Sequence, residues 1–122
     1  MTIPSGPAER LTIYLGESDR HHHEALYAEI VRRAHSAGVS GASVWRGFEG
    51  YGLHGQVHTA RLLSLSEDLP VVVEMIDTSA VIDRFLPHLD DLEFDGLVIR
   101  EPVTVVAHRS RDGDGDGNGS GR

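Results

Sequence analysis

The chain has no cysteine among its 122 residues, so disulfides and thiolate metal sites are excluded. It has no lysine either: all eleven basic residues are arginine. Schiff-base chemistry and lysine–phosphate contacts are thereby removed, and any anion site must be built from Arg, His or backbone N–H groups. No apolar run approaches the roughly 20 residues of a membrane-spanning helix. The first residues, MTIPSGPAER, show no charged and then apolar signal region, and the expected compartment is the cytoplasm. There is no G-x-S-x-G elbow and no serine with a clear histidine partner, so nucleophilic catalysis has no support. The net charge of −8 argues against general binding to nucleic acid or anionic membranes. Length supports one domain with a modest core, of the kind that often finishes burying apolar surface by oligomerising.

The most informative stretch runs from Gly41 to Asp77. A strand-like run containing Val44, Trp45 and Phe48 ends in closely spaced glycines, Gly47, Gly50, Gly52 and Gly55. A polar, histidine-bearing loop over about Glu49–Ala60 follows, then a second apolar run.

Around this stretch the pattern reads as alternating elements. Met1–Glu9 is a flexible lead. Arg10–Gly16 alternates, with Leu11, Ile13 and Leu15 on one face, and predicts a half-buried strand. His23–Ala37 predicts a helix with Leu26, Ile30 and Ala34 in one stripe, stopped by Gly38. Gly41–Phe48 is the second strand. Arg61–Ser66 is a candidate short strand, and Leu69–Ile76 a central one. Asp77, Thr78 or Ser79 caps a second helix, whose regular part Pro87 ends or kinks. Asp95-Gly96 turns into a last strand, Leu97–Val106, where Pro102 favours an edge or a bulge. The order β-α-β-β-α-β predicts an α+β fold of the ferredoxin-like, split βαβ type: an antiparallel sheet with both helices on one face. Apolar residues on both strand faces imply that another subunit covers the open one. The domain spans residues 10–108, and 109–122 is a disordered acidic, Gly-rich tail.

Several constellations carry chemical alternatives. The loop glycines can offer backbone N–H groups to an anion, with Arg46 and Arg61 flanking them, or can simply allow a hairpin. His54 and His58, spaced i, i+4, are candidate metal ligands or ordinary polar loop residues. His21-His22-His23 reads as a solvated polar turn. Glu74 is a carboxylate inside an apolar strand and calls for a partner, for which an ion pair at a subunit interface is preferred. Trp45 and Phe48 are interface or core aromatics. Asp112, Asp114 and Asp116 echo the start of a calcium loop, yet the closing Glu and flanking helices are missing.

RLTIYLGESD (10–19), the helix Leu26–Ala34, GASVWRGFEGYG, HTARLLSLSEDLPVVVEMID (58–77), FLPHLD and GLV together resemble the PII-like proteins, in the branch designated domain of unknown function 190. The resemblance implies a homotrimer with three sheets around a central axis, and a regulator rather than an enzyme. It also implies adenine nucleotide as a candidate effector bound in inter-subunit clefts, and a protein target, a transporter or enzyme, met by the loop after the second strand. On this basis the ligand-binding residues are Arg46, Gly47, Gly50, Gly52, His58, Thr59 and Arg61. The partner-contacting loop residues are Glu49, Tyr51, Leu53, His54, Gly55 and Gln56. The alternative is a divalent-metal module using His54 and His58. The chain departs from nucleotide-binding relatives in carrying only Glu93-Phe94-Asp95-Gly96 where those have a Gly- and Lys-rich phosphate loop. Tyr51 also lies nearer the loop base than the tyrosine that classical relatives nucleotidylate.

Overall fold

The computed structural model describes residues 3–51, 58–59 (backbone) and 68–111. In chain order the elements are β1 (Gly6–Gly16), the short strands β2 (Arg20–His21) and β3 (Glu24–Ala25), α1 (Leu26–Ser36), β4 (Ala42–Arg46), β5 (Glu49–Gly50), β6 (His58–Thr59), β7 (Pro70–Asp77), α2 (Ser79–Phe85) with a 3-10 turn (Leu86–Leu89), and β8 (Leu97–Val105). The main sheet has four strands in the order β4-β7-β1-β8, every neighbouring pair antiparallel. This is the expected ferredoxin-like α+β arrangement.

Alternation along β1 and β7 decides which face is covered. Leu11, Ile13 and Leu15 on β1 and Val71, Val73 and Met75 on β7 are buried, and they pack with Leu26, Ile30 and Ala34 of α1 and Ile82 and Phe85 of α2. The i, i+4, i+8 spacing puts the α1 residues on one stripe. Each fully buried aliphatic or aromatic side chain contributes about 1.5–3 kcal/mol of transfer free energy.

Helix ends follow local chemistry. The N–H of Leu26 donates to the Asp19 carbonyl at 2.8 Å, satisfying one of the first-turn donors of α1. Gly38 follows the C-terminus with φ +85°, the left-handed stop expected of it. Of the three cap candidates, Thr78 is the N-cap of α2, its Oγ1 accepting from the Val81 N–H at 3.3 Å. Asp77 instead accepts from the N–H groups of Ser40 at 2.8 Å and Thr78 at 2.7 Å, which joins β7 to the approach to β4. Pro87 sits in the 3-10 turn, where the regular helix ends.

Two boundaries differ from the sequence expectation. β1 starts at Gly6 rather than Arg10, because Gly6–Glu9 pairs with Pro102–Val105. Ile3 is buried, and its N–H donates to His108 Nδ1 at 2.9 Å, so the lead from Ile3 onward is held against the last strand. The first helix begins at Leu26 rather than His23. The residues before it form a hairpin in which Arg20 pairs Ala25 and His21 pairs Glu24, leaving His22 and His23 as a two-residue turn. Both have positive φ, 50° and 72°, the geometry of a type I′ turn, which normally selects Asn and Gly. The candidate strand Arg61–Ser66 and the tail from residue 112 lie outside the described residues.

Pro102 lies on β8, an edge strand, as its missing N–H requires. Gly96 precedes β8 where a Cβ would collide with the Tyr14 carbonyl oxygen, so only glycine lets the chain approach β1 this closely.

Candidate functional site

Sheet register lays out the uncovered face in rows. Opposed residues project to the same side, so Trp45, Val72, Tyr14 and Leu97 form one line across all four strands. Trp45, Tyr14 and Leu97 are 60%, 42% and 56% exposed. The next row is Ser43, Glu74, Thr12 and Ile99, and the one beyond carries Ile76, Arg10 and Glu101. The face therefore runs from an aromatic row at the end where β4 leads into the loop to charged groups at the other.

Arg10 holds the charged end together. Its Nε lies 3.3 Å from Glu74 Oε2 and its Nη1 3.4 Å from Glu101 Oε2. Glu74 thus has a cationic partner within its own chain. Glu74 also keeps about a third of its side chain exposed within the subunit, so it bears no full desolvation cost. A shallow cavity of about 550 Å³ lies here, lined by Arg10, Ser40, Ser43, Glu74, Val105 and His108 among others. Trp45 and Phe48 belong to the exposed surface and not to the core.

At the aromatic end the two feet of the Gly47–Pro70 connection meet. The Gly47 N–H donates to the Pro70 carbonyl at 2.8 Å. A Cβ on Gly47 would lie 2.9 Å from Pro70 Cγ, and one on Gly50 would lie 3.1 Å away, so both glycines are there for close approach. Glu49–Gly50 then pairs with His58–Thr59 in a two-residue ladder. Tyr51 and Phe48 are exposed.

Arg46 ends β4 opposite Val71 and is 61% exposed at its side chain. Its Nη1 donates to Glu17 Oε2 at 2.9 Å. Glu17 belongs to a tight turn whose N–H groups are all engaged. Gly16 donates to Asp19 Oδ2 (2.9 Å), Glu17 to the Leu69 carbonyl (2.9 Å), Ser18 to Asp68 Oδ1 (2.8 Å) and Asp19 to the Gly16 carbonyl (3.2 Å). The outgoing foot reaches this turn through Arg46 and the returning foot through Asp68 and Leu69.

Of the expected ligand and loop residues, the fold thus gathers Arg46, Gly47, Glu49, Gly50 and Tyr51 with the backbone of His58 and Thr59. Gly52, Leu53, His54, Gly55, Gln56 and Arg61 lie outside the described residues, as do the side chains of His58 and Thr59. Among the described residues no group of three or more His, Asp or Glu is arranged to hold a metal ion. Sequence reading missed Glu17 and Asp68 as part of this constellation. The signal available was the G-x-S-D run directly after a strand, a strong turn pattern.

The profile of the DUF190 family, described as "Uncharacterized ACR", matches residues 8–105. The chain belongs to the DUF190 family. It is 39% identical over 93 residues to a UPF0166 protein of Methanocaldococcus jannaschii, covering 75% of this chain and 85% of that one. It is 34% identical over 96 residues to a UPF0166 protein of Aquifex aeolicus, covering 79% and 90%. Solved structures with the same fold include CPII of Thiomonas intermedia K12 bound to ADP and bicarbonate, with TM-score 0.60, 18% identity and coverage of 87% of this chain and 95% of that one. Another is a candidate PII-like signalling protein of Thermus thermophilus, with TM-score 0.59, 20% identity and coverage of 83% and 91%. At these identities the structural likeness establishes a PII-like fold for this DUF190 chain. No helix among its described residues is long and apolar enough to cross a membrane.

Proposed function

We propose that this DUF190 protein is a trimeric PII-like regulator without chemistry of its own. It senses an anionic small molecule, an adenine nucleotide being the first candidate, and acts on a protein target through the Gly47–Pro70 connection. The observation that carries this reading is Arg46: an exposed guanidinium at the foot of the connection, beside glycines whose backbone is drawn against Pro70. Its planar fork suits phosphate and carboxylate oxygens, and the chain has no lysine to compete for that role. CPII, which shares the fold, binds ADP and bicarbonate.

The row Trp45–Val72–Tyr14–Leu97 supports the trimer. Apolar side chains this exposed, aligned on the face opposite both helices, suit burial against a neighbouring copy. A head-to-tail contact that closes after three copies leaves a cleft at each junction. Effector binding changes the fit to a target only if it favours one arrangement of the connection over another.

Native mass spectrometry of the full chain with ATP, ADP, AMP and cyclic nucleotides tests this. A trimer holding up to three nucleotides, with Arg46→Ala losing them, is the expected result. A monomer overturns the assembly, and nucleotide binding indifferent to Arg46→Ala overturns the assigned site.

A further inference from the structure

We propose that Glu17 is an internal competitor for the effector anion, holding Arg46 until an incoming phosphate or carboxylate displaces it. This deepens the proposed function and rests on its assignment of Arg46 as the anion-binding residue.

Three observations converge. First, Arg46 Nη1 and Glu17 Oε2 are 2.9 Å apart, so the guanidinium already holds a carboxylate oxygen in the place an anionic ligand would occupy. Second, the pair is accessible: the Arg46 side chain is 61% and the Glu17 side chain 32% exposed, so a solute can reach it and the exchange carries no large burial cost. Third, the neighbouring turn offers the anion no open backbone N–H. The N–H groups of Gly16, Glu17, Ser18 and Asp19 all donate within the chain, two of them to the carboxylates of Asp19 and Asp68. An anion reaching the foot of the connection meets Arg46 already engaged, while Arg20 on the same turn holds, among the described residues, only the Glu17 and Asp19 carbonyls.

Exchange of one carboxylate for another oxyanion also has a mechanical result. Glu17 sits on the turn that Asp68 and Leu69 bind from the returning foot, while Arg46 leads directly into Gly47. When Arg46 moves from Glu17 to a ligand, the outgoing foot loses its direct tie to that turn, while Gly47 stays hydrogen-bonded to Pro70 and the returning foot stays attached through Asp68 and Leu69.

The experiment is a double-mutant cycle on the full chain, with Glu17→Gln, Arg46→Gln and the double variant titrated calorimetrically with ADP, AMP and inorganic phosphate. Glutamine keeps the length of the Glu17 side chain and removes its charge. Glu17→Gln is expected to tighten ADP binding about threefold, the scale of an exposed ion pair, and Arg46→Gln to weaken it at least about tenfold. The Glu17→Gln gain should vanish in the Arg46→Gln background, which a merely structural role for Glu17 would not produce. Wild-type binding that depends on Arg46 but is unchanged or weakened by Glu17→Gln overturns the competitor while leaving the site. Binding that ignores Arg46, or no binding of any probe to wild type and Glu17→Gln alike, overturns the site and the competitor together.

Discussion

Arg33 and Glu29, one turn apart on α1, are joined by a 2.7 Å hydrogen bond from Arg33 Nε to Glu29 Oε2 in a largely buried setting. Arg32 Nη2 donates to the same carboxylate oxygen at 2.5 Å. Arg33 continues outward: Nη1 donates to the His88 carbonyl at 2.7 Å and to Asp91 Oδ1 at 2.6 Å, and Nη2 lies 3.3 Å from His21 Nε2. One side chain therefore ties α1 to the end of the 3-10 turn and to the β2–β3 hairpin.

Glu29→Gln weakens this junction by about 2 kcal/mol, the worth of hydrogen bonds to a charged group, and urea denaturation will read it. Acid should do the same to the wild type. Hydrogen bonds from Arg33 and then Arg32 hold the Glu29 carboxyl below its ordinary value of 4.5, against the opposing pull of burial. Its stabilisation is complete above pH 4.5 and is lost as pH falls through the lower folded-state value. The midpoint of Glu29→Gln should accordingly fall less steeply with acid than that of the wild type.

Gly96→Ala should be among the more damaging small substitutions in the chain. The added methyl meets the Tyr14 carbonyl, which belongs to the β1 backbone and cannot rotate away. A cost of about 2–3 kcal/mol is expected, seen as a lowered thermal midpoint with the m-value of the wild type.

His23→Gly should stabilise the protein by about 1 kcal/mol, since glycine takes φ +72° without strain. His22→Asn at φ +50° should add a smaller gain. A matching loss from either change in thermal denaturation would show that the turn is held by contacts of the histidine rings and not by backbone preference.

Trp45→Glu and Tyr14→Glu place charge in the aromatic row of the open face. In the proposed trimer both should shift sedimentation from trimer to monomer with helix content retained, since neither residue touches the core. A trimer that survives both substitutions removes this face from the interface.

Arg10→Leu leaves Glu74 and Glu101 without their shared cation. A loss of about 1 kcal/mol is expected, largely recovered by adding Glu74→Gln, which thermal denaturation of the single and double variants will measure.

The elements legible in sequence are those whose signal is local. Leu26, Ile30 and Ala34 recur at helical spacing, Gly38 stops their helix, and Leu11, Ile13 and Leu15 alternate as a strand must. What escaped notice depends on residues distant in sequence. Gly6 and Pro7 look like chain breakers until Thr104 and Val105 are seen beside them. Glu74 looks stranded among valines until Arg10 arrives from the neighbouring strand. His22-His23 lacks the Asn or Gly that a type I′ turn normally selects, so no turn signal pointed to a hairpin there. The candidate site was half legible: Arg46 and the glycines announce themselves, whereas Glu17 and Asp68 join them only because β1 and β7 are neighbours.

The hydrogen bond from Gly47 to the Pro70 carbonyl has a bearing on how such a protein diversifies. It closes a ring in the chain. The entropy of closing a ring grows only with the logarithm of its length, so doubling the intervening residues costs only about 0.6 kcal/mol. By this closure entropy alone, a change in the length of the segment between Tyr51 and Asp68 costs the frame little. With the segment meeting the target as proposed above, one frame can address different targets through changes in its length.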